Sequence, residues 1–212
     1  MNYKHIIWDW NGTIVDDSWL SVEVLNGILK SFNLPEVGKE DYRENFSFPV
    51  INYYRKLGLN VSKEKFDEIG KIFIKNFNAK RFDCKLNDGA LNVIQKISAH
   101  KIPQSILSAY EINFLNEAVE FFGIKKYMSK ISGLSDINAN TKLELGKKHI
   151  ESLNLPPEEI LVIGDTDHDF EVAHKTGANC VLMATGHQSR QRLSKTGAKV
   201  CIDFAELDGF LF

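Results

Sequence analysis

The chain has 212 residues, 43% of them apolar and 25% charged, with 26 Lys plus Arg set against 28 Asp plus Glu for a net charge of −2. This is the balance of one globular domain, or one domain with an insertion, large enough to bury a sizeable core. It excludes a general pull on nucleic acid or an anionic membrane surface, and no apolar stretch approaches the roughly 18 residues that cross a bilayer. The opening MNYKHIIWDW is too short and interrupted for a signal peptide. Cys84, Cys180 and Cys201 are widely spaced and odd in number. They fit neither a disulfide framework nor a zinc site, so reduced thiols packed as small hydrophobes in a cytoplasmic protein are expected.

Residues 4–9, KHIIWD, read as a buried strand ending in a carboxylate. Residues 16–83 then break the pattern that follows. WLSVEVLNGILKSF (19–32), FPVINYYRKLG (48–58) and SKEKFDEIGKIFIKNF (62–77) are helical candidates. In the third, Ser62 is placed as N-cap and Phe66, Ile69, Phe73 and Phe77 form an apolar stripe. From residue 84 onward strands and helices alternate. A helix over 88–100 precedes a strand at 102–109, a helix at 112–122 ends at Gly123, and a short strand follows at 128–133. A helix at 141–154 stops at Pro156-Pro157, and EILVIGD (159–165) is a continuous apolar strand. Then come a helix at 169–177, a strand at 179–186, a helix near 188–196 and a last strand at 199–202.

Such alternation predicts an α/β fold: a doubly wound, mostly parallel, Rossmann-like sheet with right-handed crossovers. The core is expected over residues 1–15 and 84–212, with an all-helical cap inserted over 16–83. Hinges are expected near 14–18 and 79–86. Ligands bind at the carboxyl ends of parallel strands, and Asp9, Ser108 and Asp165 each close a predicted strand.

Four pieces carry the chemistry: DWNGT with Asp9, Asn11, Gly12 and Thr13; ILSA with Ser108 and Ala109; Lys142 at a helix start; and GDTDHD with Asp165 and Asp169. A carboxylate nucleophile that approaches a phosphate dianion must overcome like-charge repulsion. A divalent cation held by Asp9 and Asp165 offsets that repulsion, and hard oxygen ligands suit Mg²⁺. Lys142 adds positive charge beside the phosphate and Ser108 offers a hydroxyl. Backbone N–H groups after Ser108, at Ala109, and around Asn11, Gly12 and Thr13 are placed to cradle phosphate oxygens. Attack by Asp9 on phosphorus gives an aspartyl phosphate.

In this order the pieces resemble the haloacid dehalogenase superfamily, and within it the phosphoglycolate phosphatase-like enzymes, over nearly the whole chain. The resemblance implies a Mg²⁺-dependent phosphatase acting on a small phosphorylated metabolite such as phosphoglycolate. It implies Asp9 as nucleophile and metal ligand, the backbone carbonyl of Asn11 as a second ligand, Asp165 as a direct ligand, and Asp169 as a ligand directly or through water. Retention of Asp165 and Asp169 argues against the metal-free dehalogenase branch. One position departs from the DxDGT pattern: the second Asp, the general acid/base of these phosphatases, is here Asn11, which neither gives nor takes a proton. Positioned acid–base groups contribute about 10²–10⁴-fold. Four readings follow: a phosphatase in which Asp16, Asp17, His168, substrate or water moves the proton; an enzyme slow except toward esters with good leaving groups; a phosphate- and Mg²⁺-binding relative with little turnover; or deamidation at Asn11-Gly12, which restores a carboxylate in part of the population. Asp16 and Asp17 otherwise read as turn or helix-cap residues, His168 as a solvated loop residue, and Trp8 and Trp10 as packing. His187 lies in a loop expected to face the site. Monomer and homodimer are both compatible with the sequence.

Overall fold

The computed structural model describes residues 3–135 and 142–212. β1 (His5–Trp8) leads to a two-residue strand β2 (Val15–Asp16), then to helices α1 (Ser18–Ser31), α2 (Lys39–Asn45), α3 (Val50–Lys56) and α4 (Lys63–Lys80). A second two-residue strand, β3 (Lys85–Leu86), pairs antiparallel with β2. The chain continues through α5 (Ala90–Ala99), β4 (Gln104–Glu111), α6 (Ile112–Phe121) and β5 (Lys130–Leu134). It ends with α7 (Lys142–Glu151), β6 (Ile160–Gly164), α8 (Asp167–Thr176), β7 (Asn179–Met183), α9 (Arg190–Leu193), β8 (Lys199–Cys201) and α10 (Phe204–Leu211).

Six strands form one parallel sheet in the order β5-β4-β1-β6-β7-β8. The chain builds outward from β1 on one side through β4 and β5, then returns to build β6, β7 and β8 on the other. The carboxyl end of β1 is therefore the switch point where such sheets hold ligands. Both faces are buried, and the side chains sort by the two-residue period of a strand. Ile6, Trp8, Leu161 and Ile163 pack with α5, α6 and α10, whereas Ile7, Ile160 and Val162 pack with Ile150 of α7 and Val172 of α8. Each fully buried aliphatic side chain of this kind contributes roughly 1.5–3 kcal/mol. A buried polar chain links β1 to β4 and β4 to α5: the Trp8 indole donates to Gln104 Oε1 at 2.9 Å, and Gln104 Nε2 donates to the Ile94 carbonyl at 3.0 Å.

The doubly wound parallel sheet is as expected, with local differences. β4 runs to Glu111, with a register shift between Leu107 and Glu111, so Ser108 stands at an irregularity inside the strand. α2 was not predicted, because its seven residues bury only Tyr42 and carry no apolar stripe. α10 was legible but missed: Asp203 caps it by accepting from Glu206 N, and Phe204, Leu207 and Leu211 recur at helical spacing. Ser62 caps α4 as expected, accepting from Lys65 N. Residues 136–141, where the helix at 141–154 was expected to begin, lie outside the described residues.

Candidate active site

The floor of the site is built at the carboxyl edge around β1. Asp9 follows β1 and Asp165 follows β6, so parallel pairing of the two strands places their carboxylates side by side. Asp169 reaches the same point from the first turn of α8, where its Oδ2 accepts from Thr166 N at 3.0 Å and Thr166 Oγ1 at 2.8 Å. Carboxylate oxygens of Asp9, Asp165 and Asp169 lie within 4.8 Å of one another, all buried. Lys142, also buried, sets its Nζ 2.7 Å from Asp9 Oδ1 and 2.6 Å from Asp169 Oδ1.

Glycines hold this floor open. Gly12 has φ of +74°, and a Cβ there would lie 2.2 Å from Asp165 Oδ2. A Cβ on Gly186 would lie 2.1 Å from the same atom, and one on Gly164 would lie 2.0 Å from Asp169 Cγ. No side chain fits at these three points without moving a carboxylate. Asp165 is held by Thr13 Oγ1, which donates to Oδ1 at 3.1 Å, and by the backbone N–H of His187, which donates to Oδ2 at 2.6 Å. The Gly12 N–H, one of the backbone groups expected to face a phosphate, is here committed to Asp17, and the Thr13 hydroxyl is committed to Asp165. They shape the floor. Ser108 and Ala109 line the cavity above it, and Ser108 Oγ accepts from Tyr110 N at 3.1 Å, which leaves its hydroxyl proton to donate.

The electrostatics are those of a site short of positive charge. Burial pushes Asp9 up to about 8, helped by Asp169 and Asp165 and opposed by Lys142. Burial likewise raises Asp165 to about 6. Burial would raise Asp169 too, but Lys142 and the Thr166 donors outweigh it and hold it below its usual value. Lys142 is raised despite burial, because Asp169 and Asp9 favour its charge. Asp9 Oδ1 is buried and has no hydrogen-bond partner among the described residues beyond that ion pair. One lysine does not balance three buried carboxylates. The donor set is all oxygen and compact, and so it fits a hard divalent cation.

Asn11 and Asp17 meet at the edge of this floor. Asp17 occupies the N-cap position of α1 but makes no side-chain cap. Its Oδ2 accepts from Asn11 Nδ2, its Oδ1 accepts from Gly12 N at 2.8 Å, and His187 Nε2 lies 3.4 Å from Oδ1. The other ring nitrogen of His187 shares a 3.0 Å hydrogen bond with Tyr42 Oη. Burial would lower His187, but the hydrogen bond and charge of Asp17, then Asp165 and Asp9, carry it up to about 9.

Asp17 and His187 therefore belong to the site more closely than the sequence suggested. Asp17 accepts hydrogen bonds from Asn11 and Gly12 in place of capping α1. His168 is not a solvated loop residue: it lies in the first turn of α8, its ring stacks on Phe48 at 3.9 Å, and it lines the cavity. Asp16 pairs with Lys85 in the β2–β3 ribbon and does not line the cavity. The signal for His187 was its place after β7, in the next loop along the same sheet edge. Trp8 and Trp10 are packing residues, 0% and 1% exposed.

Above the floor lies a cavity of about 360 Å³. Its upper wall comes from α1 to α4 and the segment 46–50. These helices are tied to the core through Tyr42–His187, through Arg43 Nη2 donating to the Ala184 carbonyl at 2.6 Å, and through Arg192 donating to the Phe46 carbonyl.

The model of the haloacid dehalogenase-like hydrolases matches residues 6–183. The pyrophosphatase PpaX of Listeria innocua is 22% identical over 186 residues, which cover 85% of this chain and 81% of that protein. The crystal structure of a predicted phosphatase from Clostridium acetobutylicum superposes with a TM-score of 0.86 at 21% identity, covering 100% of this chain and 99% of that one. A mutant of CbbY from Rhodobacter sphaeroides, in complex with xylulose-(1,5)bisphosphate, superposes at 0.76 with 17% identity over 97% and 96% of the two chains.

Proposed function

This chain belongs to the haloacid dehalogenase-like hydrolases, and on that premise we propose that it is a Mg²⁺-dependent phosphatase acting on a small phosphomonoester through a covalent phosphate on Asp9. The observation that carries this reading is the buried Lys142 bridging Asp9 and Asp169 beside Asp165, at the switch point of the sheet. The pyrophosphatase relative and the bisphosphate-bound neighbour support a small phosphorylated molecule as substrate class.

Asp9, Asp165, Asp169 and the backbone carbonyl of Asn11 would hold the ion. When bound, Mg²⁺ supplies charge that offsets the phosphate dianion and the attacking carboxylate. Lys142 adds to that charge and keeps Asp9 oriented, while Ser108 and the Ala109 N–H face the phosphate oxygens. An Asp9 oxygen attacks phosphorus, the ester P–O bond breaks, and the departing oxygen takes up a proton. Water then attacks phosphorus and gives up a proton, and the acyl-phosphate P–O bond breaks to free phosphate and the Asp9 carboxylate. Helices α1 to α4 act as a cap that excludes bulk water while this happens.

Asn11 takes no part in the proton transfers. We assign them to Asp17, and two observations support this: it lines the cavity, and its carboxylate accepts from the Asn11 amide. The same contacts hold the Asn11-Gly12 turn closed against deamidation. The test is to trap the intermediate. Asp17→Asn should slow hydrolysis of the phosphoenzyme, so that intact mass shows one added phosphate and peptide mapping puts it on Asp9. Mg²⁺-dependent turnover with phosphate found on another residue would sink the Asp9 mechanism.

A further inference from the structure

The polar floor explains how a phosphate is held, but most of the cavity is not polar. Its upper wall is aromatic: Phe46, Phe48, Tyr54, Phe66, Phe73 and Phe77 all line it. Tyr42, Phe46 and Tyr53 pack in stacked and edge-on pairs at 4.9–5.9 Å, and Phe73 stacks on Phe77 at 6.1 Å, so the wall is built from interlocked rings. The charged side chains in the lining are Asp9, Asp17, Lys142 and the imidazolium of His187, all of them at the floor, where His187 is paired with Asp17. His187 has both ring nitrogens engaged, by Tyr42 and Asp17, and His168 stacks on Phe48. No arginine, and no lysine other than Lys142, lines the cavity among the described residues. The undescribed stretches, Met1-Asn2 and DINANT at 136–141, contain neither residue.

We propose that the substrate's organic part is uncharged and largely apolar, a phosphomonoester of an aryl or alkyl alcohol, with its phosphate on the floor and its carbon skeleton against these rings. This rests on the phosphatase reading of the floor. A carboxylate or second phosphate on the organic part would be desolvated against aromatic faces with no cation in the wall to pair it, which is strongly unfavourable. Lys142 and His187 stand at the floor, already paired with carboxylates. An apolar group gains by leaving water there, and flat rings gain further from stacking. The volume agrees, since cavities of roughly 300–1,000 Å³ hold ligands much larger than a two-carbon acid. The expectation of phosphoglycolate, drawn from the motif resemblance, gives way to this class, because the motifs describe the floor and not the wall.

The test compares benzyl, hexyl and glycolate esters, whose leaving alcohols are of similar intrinsic reactivity, with pyrophosphate, whose leaving phosphate is intrinsically more reactive and makes the comparison harder to pass. Benzyl phosphate and hexyl phosphate are set against phosphoglycolate, with pyrophosphate as a second charged substrate, all with Mg²⁺. In parallel, calorimetry measures binding of benzylphosphonate and phosphonoacetate, which cannot be hydrolysed. We expect kcat/KM for the apolar esters to exceed that for phosphoglycolate and pyrophosphate by at least about tenfold, the lower end of what one methylene contributes in an apolar pocket. Benzylphosphonate should bind more tightly than phosphonoacetate by a similar factor. Phe73→Arg, which adds a cation to the wall, should narrow or reverse both preferences. Preferred turnover of phosphoglycolate or pyrophosphate, or equal binding of the two phosphonates, overturns the inference and leaves the phosphatase reading intact. No turnover of any ester with benzylphosphonate still preferred overturns hydrolysis but upholds the apolar occupant. No turnover and no binding overturns both.

Discussion

The floor and the roof of the cavity are made by different means. The floor is backbone-determined: strand ends, a helix start and three glycines bring the carboxylate oxygens of Asp9, Asp165 and Asp169 within 4.8 Å of one another, with Lys142 on Asp9 and Asp169. The roof is side-chain-determined, a set of rings on the helices and the segment 46–50 outside the sheet. Changes to the floor act on charge in a buried place and should be severe. Changes to the roof act on contact area and should be graded.

The largest effect should come from the proposed nucleophile. Asp9→Asn should lower phosphate release by at least about 10⁴-fold, since loss of a nucleophile from a covalent hydrolase reaches about 10⁶-fold, while circular dichroism shows the fold retained. Next is Lys142→Met, which leaves Asp9 and Asp169 buried without their cation. Breaking a buried pair costs about 3–5 kcal/mol, to be read by urea unfolding in EDTA. Asp17→Asn should lower kcat by about 10²–10⁴-fold, the span for a positioned acid–base group. An unchanged kcat would remove Asp17 from the mechanism. On the roof, Phe73→Ala should lower kcat/KM for benzyl phosphate by about tenfold, with Mg²⁺ affinity unchanged by calorimetry. A change in Mg²⁺ affinity would break the separation of the two surfaces.

The smallest effect lies away from both. His5 Nε2 meets Ser105 Oγ at 2.8 Å, Ser105 Oγ meets His149 Nε2 at 2.8 Å, and His149 Nδ1 meets Ser132 Oγ at 2.7 Å. Burial lowers His5 to about 4 and His149 to about 3. Their folded values lie below the unfolded one, so the unfolded chain binds more protons, and stability falls as pH drops below about 6.5. With Mg²⁺ present throughout, His149→Gln should flatten the change in unfolding free energy between pH 7.5 and 5.5 by about 1.4 kcal/mol. Activity at pH 7.5 should be little changed.

The same division decides what the sequence shows. Asp9 and Asp165 end apolar runs, so strand polarity alone sends them to one edge, and Lys142 opens α7, the helix that follows β5 and so starts from the same edge. Phe66, Phe73 and Phe77 also stood out as a stripe. But a stripe shows only which face of a helix avoids water, and not whether that face meets packed side chains or an enclosed cavity. Asp17 was obscured by its position ahead of α1, where a carboxylate normally caps. Only the fold shows its oxygens turned to Asn11 and Gly12. The β2–β3 ribbon, two residues on each side, is too short to leave a pattern.

The most direct test of the central claim is phosphate release from the ester panel, in Mg²⁺ and in EDTA, by the wild-type protein, Asp9→Asn and Asn11→Asp, after intact-mass analysis shows Asn11 unaltered. Turnover by the wild-type protein should require Mg²⁺ and vanish in Asp9→Asn, with Asp17 already supplying what Asn11 lacks. No wild-type turnover on any ester, with activity appearing in Asn11→Asp, would contradict this and make the protein a phosphate-binding scaffold silenced at one side chain.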